Sequence, residues 1–344
     1  MKSNTPTLKD IAQQLGISIS TVSRALRGMP EVNQETRDAV LKLSKEIDYE
    51  PNMLATSLLK RQSNLIGVVV PNMDYFFSTA VKGMDEAALE AGYTVVACQS
   101  NESYGREVTN VQRLIQSHVD GFIVSLSSET QNTDHFKRII KKNTPLIFFD
   151  RDCSDIDAPK VLLDNYDGAQ QAVNHLLSMG YKKIAYLGAR VNLSISNSRE
   201  LGYRDALQQS GIEIQESFVI HGDFDRDFAY QSTKEMLQHP NPIMRPDAFF
   251  AVSDRLALGA FQAIRELGLN MPQEVGLVGF NDEPLMQLLS PTVSSVAQPT
   301  FEMGKLAVKA LIEQLNTDEL LVQPKILMKS TLVIRESSRR IRQR

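Results

Sequence analysis

The first fifty residues carry apolar side chains at helical spacing in three short stretches. Thr7 stands three residues before Asp10, the spacing of a capping box that satisfies free amides at a helix start. Gly16 then permits a sharp turn, and Ser18 supplies a second N-cap. One face of the first stretch is apolar: Leu8, Ile11, Ala12 and Leu15. A third stretch begins at Asn33 and has its own stripe: Val40, Leu43 and Ile47. The pattern predicts three helices, the first two joined by a tight turn.

The second predicted helix combines an apolar inner face with a mixed outer face. Its inward positions are Val22, Ala25 and Leu26. The outward Ile19, Ser20 and Arg24 suit a DNA major groove, because isoleucine can touch a thymine methyl, serine a base edge and arginine a guanine. The alternative is an ordinary helical hairpin. The predicted DNA-contacting residues of this segment are Thr7, Ser18, Ile19, Ser20, Thr21, Ser23 and Arg24.

From residue 65 onward, short apolar runs alternate with amphipathic stretches. The runs have strand length and are rich in Val, Ile and Phe: LIGVVV, YTVVACQ, GFIVSL, PLIFFD, KIAYLGA, SFVIHG, DAFFAV and VGLVGF. Helix-like segments such as 79–91 and 256–267 follow them. This alternation predicts doubly wound parallel sheets, and the long connection through 160–166 indicates two similar halves.

Polar and aromatic side chains follow the predicted strands, where ligands of such folds bind. Carboxylates and amides can bond to vicinal hydroxyls, arginine can donate a fork, and an aromatic face can stack on an apolar ring face. The predicted effector-binding residues are Tyr75, Phe76, Phe77, Ser125, Asp150, Arg199, Phe224, Ser253, Asp254, Asn281 and Asp282. Asp254 as a helix cap and Phe76 or Phe77 as core residues are the alternatives.

Composition and charge narrow the class of protein. The 344 residues are 42% hydrophobic and 23% charged, which is typical of a soluble globular protein of two or three units. Residues 1–62 hold nine Lys/Arg against seven Asp/Glu, whereas the whole chain has a net charge of −4. A basic head on an acidic body favours DNA contact at one end. With no apolar leader and no membrane-length apolar run, a cytoplasmic protein is expected.

No nucleophile, metal or cofactor motif occurs in the sequence. Cys98 and Cys153 are far apart and indicate structural thiols rather than a disulfide or a metal site. The acidic segment GDFDRDF starts like a calcium loop, but Phe228 and Lys234 stand where glycine and a bidentate acid are needed. We therefore expect neither an enzyme nor a bound cofactor or metal.

The segment after the third helix reveals a family resemblance. It has the pattern Y-x-P-N-x-x-A-x-x-L, formed by Tyr49, Pro51, Asn52, Ala55 and Leu58. Together with TLKDIA and STVSRAL, this pattern closely resembles the lactose/galactose-repressor family, and the resemblance extends over essentially the whole chain. It implies a hinge that becomes helical on operator DNA, with Leu58 beside Ala55 wedged into the minor groove and Asn52 nearby.

The resemblance also implies an effector site and an architecture. Four residues match the family's effector positions: Arg199 in S-x-x-R-x-x-G, Phe224, Ser253 and Asp282 in GFND. Ser253 stands where many members have Asn, and Asn281 where many have Asp. The implied body has two periplasmic-binding-protein-like subdomains joined by three crossovers. We expect the late strands Ser294–Gln298 and Thr331–Arg335 to complete opposite halves.

These observations predict a multidomain regulator: a small all-α helix-turn-helix DNA-binding domain and an α/β periplasmic-binding-protein-like domain of two doubly wound subdomains. The predicted boundaries are 1–50 for the DNA-binding domain, 51–62 for the hinge, 63–162 with 292–325 for the first subdomain, and 163–291 with 326–340 for the second.

The predicted function is sequence-specific transcription regulation, most simply repression, controlled by a small-molecule effector of the sugar class. The expected partners are a pseudo-palindromic operator and a second copy of the chain, because the C-terminal tail lacks leucine heptads for a tetramer. Three alternatives stay open: a solute-binding protein with a helical assembly head, a sensor of a nucleobase-type corepressor, and an enzyme of the doubly wound class.

Overall fold

The computed structural model describes residues 6–49, 62–189, 193–222, 224–317 and 325–340. The chain divides into two compact units, Met1–Ser63 and Asn64–Arg344. Of the hinge, the predicted residues Asn52, Ala55 and Leu58 lie outside the described residues, so their role stays a prediction.

The first unit contains the three predicted helices, which are α1 Leu8–Leu15, α2 Ile19–Leu26 and α3 Gln34–Glu46. The Asp10 carboxylate accepts the Thr7 amide at 2.8 Å, and Ser18 Oγ accepts the Thr21 amide at 3.1 Å. Gly16 has φ +65°, the left-handed conformation that glycine adopts without strain. The helices pack on a small core: Ile11, Ala12, Val22, Ala25, Val32 and Val40. The predicted helix-turn-helix is confirmed.

The second unit contains two six-stranded sheets. Their strands are β1 Leu65–Val70, β2 Thr94–Gln99, β3 Gly121–Val124, β4 Leu146–Phe149, β5 Lys160–Leu163, β6 Ile184–Ala189, β7 Val219–Gly222, β8 Ala248–Ala251, β9 Gly276–Asn281, β10 Ser294–Ala297, β11 Lys325–Met328 and β12 Thr331–Val333. The orders are β11-β5-β4-β3-β1-β2 and β12-β10-β9-β8-β6-β7, and all pairings are parallel except that of β10 with β12.

Helices connect these strands, as the alternating pattern predicts. They are α4 Tyr75–Glu90, α5 Tyr104–Gln116, α6 Asp134–Lys141, α7 Asn165–Ser178, α8 Ser194–Gln209, α9 Arg226–Leu237, α10 Asp254–Glu266 and α11 Thr300–Leu315. The central strands are buried because helices cover both faces of each parallel sheet. The doubly wound fold is therefore confirmed.

The described chain passes between the two halves three times: after β5, after β10 and after β11. The expectation that the two late strands complete opposite halves is wrong. Strand β10 pairs with β9, and β12 pairs with β10, so both extend the second sheet. Strand β11, which the sequence analysis missed, extends the first sheet beside β5. Residues 294–297 thus belong with the second half and 326–328 with the first. The sequence of a strand does not specify its neighbour in the sheet, because that neighbour depends on which half the preceding chain has reached.

Helices α4 and α11 cross in the first half through two glycines. A Cβ on Gly304 would overlap the Ala80 carbonyl, and one on Gly83 would overlap the Phe301 carbonyl. Because backbone carbonyls of packed helices cannot swing away, Gly304→Ala is expected to lower the free energy of unfolding by about 1–3 kcal/mol in urea titrations. The control Gly105→Ala, also in a helix but with nothing within 4 Å, should be neutral or slightly stabilising. Equal stability of the Gly304 variant and wild type would contradict this close approach.

Candidate functional site

The first candidate site is the outer surface of α2. Ile19 is 48% exposed although the neighbouring Val22 and Ala25 are buried in the core. The Ser18 hydroxyl lies 2.7 Å from the Ser20 hydroxyl and 2.8 Å from that of Thr21, which forms a cluster of hydroxyls at the start of the helix. The apolar Ile19 side chain is complementary to the thymine methyl groups of a major groove, and the hydroxyls, which can donate or accept, are complementary to its base edges.

Arg24 extends this surface one turn along α2. In the part of the chain that the structure describes, its exposed guanidinium makes no ion pair or side-chain hydrogen bond. The neighbouring Arg27 instead donates to the Ser23 carbonyl at 3.0 Å, and Arg37 to the Met29 carbonyl at 2.7 Å. Thr7 is exposed at the start of α1, where its hydroxyl donates to Asp10 at 2.7 Å. Among the described arginines of this unit, Arg24 is therefore the one whose guanidinium is available to an external partner.

The second candidate site is a cleft in the Asn64–Arg344 unit with a volume of about 820 Å³. It lies at the carboxyl ends of the strands of both sheets, where the sequence analysis expected it. Eight of the predicted effector residues line it: Tyr75, Phe76, Phe77, Asp150, Arg199, Phe224, Ser253 and Asn281. Phe76 and Phe77 also belong to the core, with ring centroids 5.0 Å apart, so they pack in the core and line the cleft as well.

Arg199 is a firmly held charge of the cleft. Its Nε donates to Asn165 Oδ1 at 2.8 Å, its Nη1 donates to the Val252 carbonyl at 2.6 Å, and its guanidinium lies 3.8 Å from the centroid of Phe280. Burial lowers the pKa of Arg199 to about 10, so it remains a cation at neutral pH. The guanidinium is thus preorganised in the lining of the cleft.

Asp150 provides the complementary acceptor. It follows strand β4 directly, has φ +62° and is 5% exposed. Burial raises its pKa, while the charges of Arg151 and Arg199 act in the opposite direction. The Asp150 side chain can accept hydroxyl hydrogens while Arg199 donates to hydroxyl oxygens. This constellation suits a polyhydroxylated ligand.

Three predicted effector residues do not line the cleft. Ser125 is fully buried at the end of β3. Asp282 turns away, and its carboxylate pairs with Arg335 at 2.5 Å. The cause is the backbone of the turn after β9, where Asn281 has φ +120° and Asp282 has φ +54°. These angles direct Asn281 into the cleft and Asp282 out of it.

Asp254, the third such residue, is fully buried at the start of α10. It accepts the Ser295 hydroxyl at 2.6 Å and the Glu283 amide at 2.7 Å, and thereby supports the turn that carries Asn281. A Cβ on Gly279 would overlap its carboxylate, which explains glycine at that point of β9. The N-cap alternative does not hold either, because Ser253 caps α10 by accepting the Leu256 amide at 3.3 Å.

Burial raises the pKa of Asp254 from 3.8 to about 7. The folded protein therefore binds a proton here that the unfolded chain releases, and this group's contribution to stability falls as the pH rises from about 4 to 7. In Asp254→Asn, which cannot ionise, that part of the pH dependence should disappear. Urea titrations between pH 5 and 8 give the free energy of unfolding of both proteins, and the difference between them should change with pH. A difference that is the same at every pH would contradict the elevated pKa.

The sequence analysis missed more than half of the lining. The additional residues are Asn72, Asn101, Glu102, Ser128, Glu129, Gln131, Leu193, Ile195, Gly222, Arg255, Leu258, Glu283 and Gln298. Asp74 and Arg151, which the search of strand ends also selects, line the cleft as well. Asn101 and Glu102 follow β2, and Gln298 follows β10, so the rule of searching strand ends would have found them. Arg255 and Asp74 form a 3.3 Å ion pair across the cleft mouth, which no sequence signal indicates.

The described residues contain no cluster of three or more His, Cys, Asp or Glu side chains that could hold a metal ion. No helix within them combines the length and apolarity needed to span a membrane.

Two known families match separate parts of the chain. Residues 7–52 match the family described as bacterial regulatory proteins, lacI family. Residues 173–338 match the periplasmic binding protein-like domain. The ribose operon repressor of Halalkalibacterium halodurans is 30% identical over 335 residues, which cover 97% of this chain and 97% of that protein.

Two solved structures are similar over nearly the whole chain. The lac repressor dimer bound to operator and the anti-inducer ONPF has a TM-score of 0.86 at 25% identity, with 97% of this chain and 99% of that chain covered. A complex of the transcriptional regulator CelR with cellobiose has a TM-score of 0.72 at 28% identity, with 96% and 99% covered.

Proposed function

Because this chain belongs to the lacI family of bacterial regulatory proteins and is a DNA-binding transcription regulator, we propose that α2 reads its operator and that the cleft binds a carbohydrate effector. Ile19, Ser20 and Arg24 make the base contacts, and the serine and threonine hydroxyls around Ser18 bind phosphate or base edges. The observation that carries this proposal is the exposed apolar and cationic surface on a capped helix whose opposite face is buried.

The proposed regulator acts as a homodimer on a pseudo-palindromic site, as its solved relative does on the lac operator. Binding to operator DNA places its action in the cytoplasm. Effector binding in the cleft changes the affinity for DNA, and by linkage DNA changes the affinity for the effector to the same degree. The relatives are regulators rather than enzymes, which supports a binding role for the cleft.

Arg199, Asp150 and the aromatic residues support a sugar as the effector class. The guanidinium and carboxylate serve vicinal hydroxyls, and Phe224 covers an apolar ring face. The similar regulators include one bound to cellobiose and one named for ribose. The aromatic rings and amides of the cleft also suit a nucleobase, so nucleosides form the second class to test.

The test begins with selection of binding sites from random duplex DNA by the full-length protein, followed by fluorescence anisotropy at physiological salt. A two-fold symmetric site bound at least about 10³-fold more tightly than random DNA is expected. Thermal-shift screens of sugars and nucleosides then identify the effector, and its addition should shift the anisotropy titration. Absence of any preferred site would refute the DNA-reading role of α2.

A further inference from the structure

One wall of the cleft is a polar rim on the loops that follow β2 and β3. We call it the outer rim, and it consists of Asn101, Glu102, Ser128, Glu129 and Gln131. None of these residues belongs to the aromatic and Arg199 part of the cleft, so the rim offers a second set of contacts to a ligand.

The outer rim is held rigidly by one guanidinium. Arg151 Nη1 and Nη2 each donate to a Glu102 carboxylate oxygen at 2.7 Å, and Nη1 also donates to the Leu126 carbonyl at 2.7 Å. The Ser128 amide donates to the same carboxylate at 2.7 Å. Glu102 thereby joins the loops that follow strands β2, β3 and β4, and such preorganisation lowers the entropic cost of binding.

A buried carboxylate supports the rim from below. Glu107 on α5 is fully buried and accepts the Ser127 amide at 2.6 Å and the Thr130 hydroxyl at 2.7 Å. His135 Nε2 of α6 lies 2.8 Å from Glu107 Oε1, the oxygen that also accepts the Thr130 hydroxyl. The bonds to Ser127 and Thr130 fix the loop between β3 and α6, whose Ser128, Glu129 and Gln131 reach the cleft.

Two features indicate that the rim meets a ligand. Arg151 Nε is buried without a partner among the described residues, on a side chain that is only 6% exposed and lines the cleft. Asn101 and Glu102 both have left-handed φ values, +52° and +58°. Strained backbone of this kind persists where surrounding bonds over-determine it, and it concentrates at binding sites.

The charges of the rim favour a neutral ligand. Burial alone would raise the pKa of Glu102, but the hydrogen bonds and charge of Arg151 and the Ser128 amide hold it below its ordinary value. The rim holds two acidic side chains, Glu102 and Glu129, and the guanidinium of Arg151 is already paired with Glu102. A phosphate here would meet two carboxylates and no free countercharge.

We propose that the outer rim is a second sugar subsite, so that the effector is an uncharged disaccharide or longer saccharide rather than a single ring or a sugar phosphate. The first ring lies against Phe224, Asp150 and Arg199, and the second donates hydroxyls to the carboxylates of the rim. The cleft volume of about 820 Å³ is near the upper end of the range of ligand pockets, which leaves room for both rings. This inference rests on the proposed carbohydrate-binding function.

The experiment measures affinities of the full-length protein for matched series by calorimetry: glucose with cellobiose and maltose, galactose with lactose, xylose with xylobiose, and glucose 6-phosphate. In the series that binds, the disaccharide is expected to bind about ten-fold or more tightly than its monosaccharide. Gln131→Ala and Glu129→Gln should remove most of that advantage and leave monosaccharide affinity unchanged. The control Gln116→Ala, at an exposed position of α5 outside the cleft, should change neither.

Three outcomes would overturn the subsite. They are a monosaccharide that binds as tightly as its disaccharide, a sugar phosphate that binds more tightly than its parent sugar, and rim substitutions that weaken mono- and disaccharide equally. If no saccharide binds while a nucleoside does, the carbohydrate part of the proposed function fails together with the subsite. DNA selection by the same preparation shows separately whether the regulator itself is intact.

Discussion

Arg24→Ala is expected to lower the affinity for the selected operator by about 1–3 kcal/mol and to relax specificity at one base pair of each half-site. The reason is that Arg24 is exposed on α2 and, among the residues that the structure describes, its guanidinium has no intramolecular partner. Its truncation removes a two-pronged donor and leaves the core of the unit intact. Fluorescence anisotropy with the selected duplex and with single-base variants of it measures both effects.

Two further variants separate base reading from simple attraction. Arg24→Lys keeps the charge but loses the planar fork, so it should lose specificity while retaining non-specific affinity. Lys42→Ala removes one positive charge from α3, where the side chain is 80% exposed, and should lower all affinities slightly and uniformly. If Arg24→Ala lowered the affinity for the selected operator and for random DNA equally, Arg24 would contact only phosphate and would not read a base.

Arg199→Ala is expected to abolish the stabilisation by the effector and to destabilise the free protein by about 3 kcal/mol or more. Its removal leaves Asn165 Oδ1 and the Val252 carbonyl buried without their donor, and Asp150 loses a neighbouring positive charge. Urea titration gives the free energy of unfolding, and thermal shift with the identified effector gives the loss of binding.

Because a destabilised variant can lose binding for trivial reasons, Arg199→Lys provides a second measurement. It keeps the charge beside Asp150 but cannot make both hydrogen bonds in the same geometry, so the protein should fold while effector affinity falls. Arg226→Ala, which removes an exposed arginine of α9 outside the cleft, is the matched control. An effector whose stabilisation survives in Arg199→Ala would contradict the placement of Arg199 in the site.

The local parts of this fold were predictable because their causes are local. Each helix cap joins residues three positions apart: Thr7 with Asp10, Ser18 with Thr21, and Asn33 with Thr36. The apolar stripes of α1 to α3 need only helical spacing. The strands of the larger unit were recognisable from their apolar runs. Of the eleven effector-binding residues that were predicted from their positions at strand ends, eight line the cleft.

The predictions failed where the position of a residue depends on the backbone conformation of a turn or on a segment distant in the sequence. Asp282 follows a strand like Asn281, but the left-handed turn directs it to Arg335, which lies 53 residues later in the chain. Asp254 is engaged by Ser295, 41 residues away, and is buried beneath the cleft rather than exposed in it. The partner of β10 likewise depends on which sheet the chain has reached, not on the residues of β10.

The amino-acid sequence by itself determined the capped helix-turn-helix, its exposed Ile19 and Arg24, the two doubly wound halves and the family, since these depend on periodicity, capping and short motifs. Only the tertiary structure decided which sheet each late strand joins, the ion pair between Asp74 and Arg255, and the rim held by Glu102 and Arg151. The two ion pairs join residues that are 181 and 49 positions apart, and the energy of such contacts exists only once the intervening chain has folded.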